Sequence, residues 1–473
     1  MTSKDFDLVV IGGGPSGYAA AFAAVAADLT VALIERDRIG GTCLHRGCIP
    51  AKELLETAAV RRTVAQAGEF GINTQEPVID FSVAQERKRA VVERLFAGIT
   101  HLVGSKDITV LEGTGRLAGD HAVEISLNDK SRQVVTGESI VIAAGSMPRT
   151  LPGFEVDGHT VLTSEELLEL DSLPASVAII GGGAIGCEFA SMLSDLGTQV
   201  TLVETTETLA PGTDADIAKS LQRSFKKRGI DVVTGASANS HNPHQDGTVV
   251  QLNNGTELDV EKVVVCVGRR PFTDHLGISD TSIEVDEDGF VVVDEFCRTN
   301  LQHIYAIGDV IRTPQLAHVG FAEAMLIVRE MLGQNPRPIN YSRVPWAIYC
   351  HPEIAYAGLT EQQAMDLGYD VDTTPHRLGG NARALIHNTT EGIVKLVAQR
   401  RPDGKAGQLL GVHLIGPHAT EQLSQGYLAV NWEIDVDEIA EFVQPHPTLS
   451  ELFGEAALEL AGRTLHGLSL IHI

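Results

Sequence analysis

The amino-acid sequence predicts an α/β fold with two Rossmann-like dinucleotide-binding domains. The main observation is an internal repeat: Val10–Glu35 and Ile179–Glu204 have the same spacing without a gap, offset by 169 residues. Each copy contains a short β-branched run, a Gly-x-Gly-x-x-Gly turn, a helix-length segment and a second apolar run that ends on Glu. The length of 473 residues allows about three domains. The repeat is therefore interpreted as a βαβ unit that occurs twice.

The glycines of the two turns have distinct tasks. The first glycine of each copy allows a tight turn, the second lets the backbone approach a pyrophosphate, and the third lets the helix pack on the strand. They are Gly12, Gly14 and Gly17 in the first copy and Gly181, Gly183 and Gly186 in the second. Glu35 and Glu204 follow at the distance where an acid accepts the hydroxyls of an adenosine ribose. A glycine-rich turn in an ordinary α/β sheet is the alternative, but it explains two complete copies poorly.

The second copy also predicts which nicotinamide cofactor binds. A carboxylate at Glu204 repels a 2′-phosphate, and the next three residues, Thr205, Thr206 and Glu207, supply no arginine that could bind one. We therefore expect NAD rather than NADP.

Charge and hydropathy exclude several classes of protein. Lys and Arg total 36 against 62 Asp and Glu, which leaves a net charge of −26 that repels nucleic acids and anionic membranes. The longest wholly apolar stretch, Ala19–Ala27, is much shorter than the ~20 residues that cross a bilayer. The first residues are acidic where a secretory signal is basic. We expect a cytoplasmic protein with no nucleic-acid or membrane partner and no metal site.

Two of the six cysteines form a local pair. Cys43 and Cys48 lie in the segment GGTCLHRGCIPAKELL, which we expect Pro50 to interrupt. They are within reach of each other if the segment is helical with an irregular turn. Structural disulfides do not persist in the cytoplasm, so this pair is interpreted as redox-active. Two buried thiols on one helix are the alternative. The neighbouring Arg46 and Lys52 favour a thiolate and thus the redox interpretation.

Two further segments contain candidate functional residues. In QPHPTLSE, His446 precedes Glu451 by five residues; a histidine can move a thiol proton near neutral pH, and a carboxylate can orient its imidazole. Asp309 ends the apolar run IYAIGD and so emerges at the C-terminal end of a predicted strand, where ligands of such sheets bind. A structural histidine and a turn-forming aspartate are the alternatives.

The sequence resembles the FAD-dependent pyridine nucleotide–disulfide oxidoreductases along nearly its whole length. The resemblance is carried, in the order of the family, by VVIGGGPSGYAAA, GGTCLHRGCIPAK, VIAAGSMPRTLPG, IIGGGAIGCE, VGRRP, IYAIGDV, LAH, HPEIAYAGLT and HPTLSE. It implies FAD in the first site and NAD in the second. It also implies flavin contacts from Lys52, Gly115, Gly145, Asp309 and Ala317, a pair between Lys52 and Glu188, and an NAD contact from Gly268.

The resemblance further implies a reaction and partners. His446, held by Glu451 of the opposite chain of a homodimer, removes a proton from a dihydrolipoyl dithiol, and the resulting thiolate attacks Cys43. Cys48 then passes the electron pair to FAD, which reduces NAD. The implied partner is a lipoyl-bearing complex of the 2-oxo acid dehydrogenase or glycine cleavage type, and the implied role includes cell redox homeostasis.

Two other functions stay open. One is an NAD(P)H-dependent reductase of a low-molecular-weight thiol disulfide, and the other is a flavoprotein subunit with a mainly structural role. The chain departs from the family pattern at His45, Arg46, Ala144, Ala184 and Gln444.

The motifs also predict domain boundaries. We expect an FAD-binding domain with the redox cysteines over residues 1–148, an NAD-binding domain over 151–272, an FAD-linked central segment over 273–343 and a C-terminal α/β dimerisation domain over 344–473. The last six residues, LSLIHI, resemble a translated sequencing adapter, and we expect the natural C-terminus to differ.

Overall fold

The computed structural model describes residues 5–466, so the expectation for LSLIHI lies outside the described residues. The first α-helices and strands are β1 (Phe6–Ile11), α1 (Pro15–Val25), β2 (Val31–Glu35), α2 (Gly41–His45), α3 (Cys48–Ala65), α4 (Phe81–Gly104), β3 (Ile108–Leu117), β4 (Ala122–Leu127), β5 (Arg132–Ile142) and β6 (Ser146–Pro148). The next are β7 (Val161–Leu162), α5 (Ser164–Leu168), β8 (Ser176–Ile180), α6 (Ala184–Leu196), β9 (Gln199–Val203), α7 (Ala215–Lys227), β10 (Asp231–Val233), β11 (Ala238–His244), β12 (Gly247–Leu252), β13 (Glu257–Val260), β14 (Lys262–Val265) and β15 (Arg269–Pro271). The last are β16 (Ile304–Ala306), α8 (Ala317–Met331), β17 (Trp346–Ile348), β18 (Glu353–Gly358), α9 (Glu361–Asp366), β19 (Val371–Arg377), α10 (Ala382–Ile386), β20 (Ile393–Arg400), β21 (Ala406–Gly416), α11 (Ala419–Asn431), α12 (Val436–Ile439) and α13 (Glu451–Leu460).

The first sheet has a parallel part and an antiparallel part. Strand β1 pairs in parallel with β2 on one side and β5 on the other, so that Val10 lies opposite both Leu33 and Val141. Strands β3, β4 and β5 form an antiparallel meander, and β16 returns from far along the chain to pair in parallel with β5. The residues of β2 are all buried, as expected for a parallel strand covered on both faces.

The second sheet repeats the same unit. Strands β8 and β9 pair in parallel around α6, and the sheet order is β10-β9-β8-β14-β7. Between β10 and β14, the chain forms a separate three-stranded antiparallel sheet in the order β11-β12-β13. The chain therefore contains two βαβ units, which confirms the predicted α/β fold class.

The chain enters and leaves the second sheet at neighbouring points. Strands β6 and β15 form a two-stranded antiparallel ribbon, in which Arg269 lies opposite Pro148. The amide of Arg149 donates to the carbonyl oxygen of Gly268 at 3.0 Å. The two crossings between the sheets thus lie side by side.

The C-terminal part forms a separate antiparallel sheet in the order β17-β18-β21-β20-β19, which packs against α11, α12 and α13. This sheet and its helices confirm the predicted α/β character of the C-terminal part. The predicted domain boundaries themselves stay a prediction. Within residues 5–466, no helix has the length and apolar character needed to cross a bilayer.

A buried lysine links the C-terminal sheet to α7, the helix that follows the second βαβ unit. Lys395 on β20 has a side chain that is 2% exposed, and its ammonium donates to Asp214 at 2.9 Å, Asp216 at 2.7 Å and Glu361 at 2.6 Å. Asp214 is the N-cap of α7 and is itself 1% exposed. Burying these charges is tolerable because each has an opposite charge at hydrogen-bond distance.

Candidate active site

A single cavity of about 980 Å³ joins the two glycine turns to the cysteine pair. Most of the residues singled out by the sequence line it: Gly12, Gly14, Glu35, Cys43, Cys48, Lys52, Gly115, Gly145, Gly181, Gly183, Glu188, Glu204, Gly268, Asp309 and Ala317. Gly17, Gly186, His446 and Glu451 are not among the lining residues. Residues that are up to about 300 positions apart in sequence therefore share one site.

The first turn has the shape that a pyrophosphate requires. Gly12 has φ +107°, and a Cβ there would lie 2.3 Å from the carbonyl oxygen of Ala143. A Cβ on Gly17 would lie 1.8 Å from the carbonyl oxygen of Gly12, because helix and strand pack closely. Gly14, by contrast, faces open space. Helix α1 has no side-chain cap, so its first amides are available for phosphate oxygens.

The second turn repeats this geometry. Gly181 has φ +108°, a Cβ on Gly186 would lie 1.9 Å from the carbonyl oxygen of Gly181, and Gly183 faces open space at the uncapped start of α6. Both turns therefore fit a dinucleotide, as the residue types suggested.

The two acids that end the repeats, Glu35 and Glu204, are held alike by the backbone. The amide of Gly13 donates to Glu35 at 2.7 Å, and the amide of Gly182 donates to Glu204 at the same distance. The second oxygen of Glu204 accepts the Thr206 amide at 2.8 Å. Backbone amides help to keep the pKa of Glu204 below its ordinary value although burial opposes this, so a negative charge faces the second site.

The cysteine pair lies at a break between two helices. Cys43 belongs to α2, whereas Cys48 is the first residue of α3; the chain leaves helical geometry at Arg46 and Gly47. The expectation that Pro50 interrupts the segment is wrong. Pro50 lies in the first turn of α3, where its missing amide hydrogen has no helical partner to lose.

The two thiols are electrostatically unequal. A hydrogen bond between them raises the pKa of Cys43 and lowers the pKa of Cys48. The ammonium of Lys52, one turn along α3, also lowers the pKa of Cys48, and the helix N-terminus stabilises an anion at the same place. In the dithiol form, Cys48 therefore loses its proton more readily than Cys43.

Lys52 is fixed by Glu188 from the second βαβ unit. Its ammonium donates to the two carboxylate oxygens at 2.8 and 3.0 Å, and the Tyr349 amide donates to one of these oxygens at 2.9 Å. Burial disfavours the ammonium, but Glu188 raises the pKa of Lys52 above its ordinary value. A positive charge is thereby held beside Cys48. Sequence reasoning missed Tyr349, because a backbone amide leaves no signal in a residue pattern.

Asp309 is held by a chain of two hydrogen bonds. The hydroxyl of Ser146 donates to its carboxylate at 2.6 Å, and the guanidinium of Arg269 donates to that hydroxyl at 2.7 Å. Arg269 and Ser146 belong to the ribbon of β15 and β6. The ribbon thus positions a carboxylate in the cavity, a role that the motif containing Ser146 did not reveal.

His446 and Glu451 form a pair away from this cavity. The Nδ1 atom of His446 lies 2.9 Å from Glu451 at the start of α13. The histidine side chain is 63% exposed, whereas the glutamate side chain is 10% exposed. A buried carboxylate that accepts from Nδ1 leaves Nε2 facing outward as a base.

Comparison with known proteins agrees with this geometry. Residues 6–324 match the model of the pyridine nucleotide-disulphide oxidoreductases, and residues 344–457 match the dimerisation domain of the same family. A dihydrolipoyl dehydrogenase of Bacillus subtilis is 40% identical, over 98% of this chain and 100% of its own. A dihydrolipoamide dehydrogenase of Chaetomium thermophilum is 37% identical, over 98% and 93%.

Solved structures show the same fold. LpdA from Mycobacterium tuberculosis superimposes with a TM-score of 0.89 at 28% identity, covering 95% of this chain and 98% of that one. The HOCl-induced flavoprotein disulfide reductase RclA from Escherichia coli superimposes with a TM-score of 0.85 at 27% identity, covering 95% and 99%. The chain belongs to the pyridine nucleotide–disulphide oxidoreductases, and its cofactors are FAD and NAD.

Proposed function

We propose that the chain oxidises dihydrolipoyl groups to lipoyl groups with reduction of NAD. The observation that carries the proposal is the shared cavity, in which the Cys43–Cys48 pair meets both dinucleotide turns. Curated relatives that match over almost their full length include dihydrolipoyl and dihydrolipoamide dehydrogenases. A dithiol substrate suits a site whose own redox group is a pair of cysteines.

The residues of the chain have separate tasks in this reaction. Nε2 of His446 takes a proton from one substrate thiol, and the thiolate breaks the Cys43–Cys48 disulfide by attack on Cys43, releasing Cys48 as a thiolate. The second substrate thiol then displaces Cys43, which leaves the substrate as a disulfide and the chain as a dithiol. Lys52 stabilises the Cys48 anion. When bound, the flavin supplies a two-electron acceptor and the nicotinamide a hydride acceptor.

The proposal includes a homodimer. His446 lies outside the cavity of its own chain and is largely exposed, so the histidine of a second copy is needed to complete the site. Large apolar side chains are exposed on α8, on and just after α11, and after α12, as in a surface that a partner covers. They are Phe321, Met325, Leu428, Trp432 and Val443.

A protein-borne substrate and a cytoplasmic location belong to the same proposal. Dihydrolipoyl groups are carried by complexes of the 2-oxo acid dehydrogenase or glycine cleavage type, and we place the chain beside such a complex. The cytoplasm is supported by the four cysteines outside the redox pair, which are free thiols in the described residues: Cys187, Cys266, Cys297 and Cys350.

A substrate comparison tests the reaction. We expect kcat/KM for dihydrolipoamide with NAD to exceed kcat/KM for glutathione disulfide or cystine with NADH by about 100-fold or more, because a site that favours one dithiol loses transition-state binding with others. An equal or faster rate with a low-molecular-weight disulfide would support the reductase alternative. Bound FAD without turnover of either substrate would support a structural role.

Mixed dimers test the shared site. Cys48→Ser and His446→Gln homodimers are each expected to be inactive, whereas a mixed dimer contains one site with an intact cysteine pair and an intact histidine. Coexpression with two different affinity tags isolates the mixed dimer, which should regain about half of the parental dihydrolipoamide activity if each site needs both chains. Activity no higher than that of the two homodimers would show that the histidine does not act across the dimer.

A further inference from the structure

We propose that Asn381 is a positioning residue for the His446–Glu451 pair, an inference that rests on the proposed function. Asn381 lies between β19 and α10, 70 residues before Glu451, and is buried. Its side-chain amide donates to Glu451 and to the backbone of the loop that carries His446. No part of the reaction described above assigns it a role.

The two ends of the Asn381 side chain have different partners. The oxygen caps α10 by accepting the Ala384 amide at 2.9 Å. The nitrogen donates to Oε1 of Glu451 and to the carbonyl oxygen of Thr448, both at 3.0 Å. Each polar atom of the side chain is therefore used, and the amide nitrogen ties the loop and the carboxylate together.

This arrangement determines which oxygen of Glu451 faces the histidine. Oε1 accepts from Asn381 and also from the Thr448 amide at 3.4 Å, so Oε2 is left for Nδ1 of His446. These two hydrogen bonds to Oε1 restrain rotation of the carboxylate away from the imidazole. Asn381 thus keeps the proton on Nδ1 and leaves Nε2 as the base.

Few ionisable groups in the described part of the chain act on His446, so a change in its protonation can be traced to one neighbour. Glu451 is its ionisable hydrogen-bond partner among the described residues. Further along α13, Glu455 and Glu459 are each hydrogen-bonded to another histidine, His466 and His376. A new charge at position 381 therefore acts on His446 chiefly through Glu451.

Two substitutions separate positioning from helix capping. Asn381→Asp keeps the volume and the capping oxygen but replaces the amide donor with a carboxylate. Asn381→Ser keeps a capping hydroxyl but is too short to reach Glu451. A purely structural role predicts little effect on catalysis from either, because both keep the cap.

The expected results are a shifted pH profile and a lower kcat. With Asn381→Asp, a second carboxylate favours the imidazolium, so the acid limb of kcat/KM for dihydrolipoamide should move to higher pH by about one unit. With Asn381→Ser, kcat should fall about tenfold with little change in KM. FAD content and reduction of the flavin by NADH, which do not use His446, should stay parental in both.

Two controls distinguish the possible failures. Thr360→Ala removes the cap of α9 in the same domain and should leave the pH profile unchanged. His446→Gln tests the proposed function itself: a parental rate with dihydrolipoamide would overturn the acid–base assignment, and the role of Asn381 with it. A large loss in His446→Gln with parental kinetics in both Asn381 variants would overturn the Asn381 proposal alone. If Asn381→Asp does not fold, Asn381→Ser decides between these outcomes.

Discussion

Replacing Cys48 with serine is expected to lower the rate of dihydrolipoamide-dependent NAD reduction by about 1,000-fold or more. A serine hydroxyl cannot form a disulfide with Cys43, so the substrate thiolate has no sulfur–sulfur bond to break. Serine differs from cysteine only in having an oxygen atom in place of sulfur, so the cavity keeps its shape and FAD should stay bound. The measurement is steady-state NADH formation, with flavin content determined from absorbance after the protein is unfolded.

Cys297 provides the matched control. It is a buried thiol far along the chain from the pair, and its sulfur lies 3.8 Å from the hydroxyl of Tyr341. Cys297→Ser keeps a hydrogen-bonding group there and should leave turnover within about twofold of the parent. Normal turnover by Cys48→Ser would remove the cysteine pair from the reaction.

Replacing Lys395 with methionine is expected to lower the free energy of unfolding by about 3–5 kcal/mol, because it leaves Asp214 buried without its cation. The methionine fills nearly the same volume, so the loss is electrostatic rather than a cavity effect. Both tryptophans of the chain, Trp346 and Trp432, lie after residue 343. Tryptophan fluorescence during urea denaturation therefore reports on the C-terminal part that contains Lys395.

The stability difference should depend on pH. Burial opposes ionisation, but the hydrogen bond from Lys395 keeps the pKa of Asp214 below its ordinary value, so the carboxylate contributes stability above that value and loses it as pH falls. In Lys395→Met, an unpaired Asp214 can take up a proton. The difference between variant and parent should therefore narrow below about pH 5. Lys227 is the control: its ammonium is exposed and pairs with Glu391, so Lys227→Met should leave the denaturation midpoint unchanged. If Lys395→Met and the parent have equal stability, or differ by the same free energy at all pH values, the account of Lys395 is contradicted.

The sequence was most informative where a local spacing carried the function. The two glycine turns and their acids could be predicted because the βαβ unit determines their geometry within about 26 contiguous residues. The cysteine pair can be recognised for the same reason, but the segment is interrupted at Arg46 and Gly47 and not at Pro50.

Contacts between distant segments could not be predicted in this way. Asn381 meets Glu451, and Lys395 meets Asp214, only because separate strands and helices bring them together. No periodicity links such positions, and each residue type taken alone is common on surfaces. Among the departures from the family pattern, Gln444 lies against Gly454 of α13, the helix that begins with Glu451.

The ribbon of β6 and β15 has a consequence for modular assembly. The chain leaves the first sheet at Pro148 and returns to it at Arg269, and these two residues lie opposite each other in the ribbon. The segment between them is therefore an insertion whose two ends are neighbours. The strand that follows, β16, completes the first sheet as though the insertion were absent. An insertion with adjacent ends can be exchanged for that of a relative without breaking the strand pairing of the host sheet. Recombination at these two points offers a route to new coenzyme preferences if the incoming segment keeps the carboxylates that pair with Lys52 and Lys395.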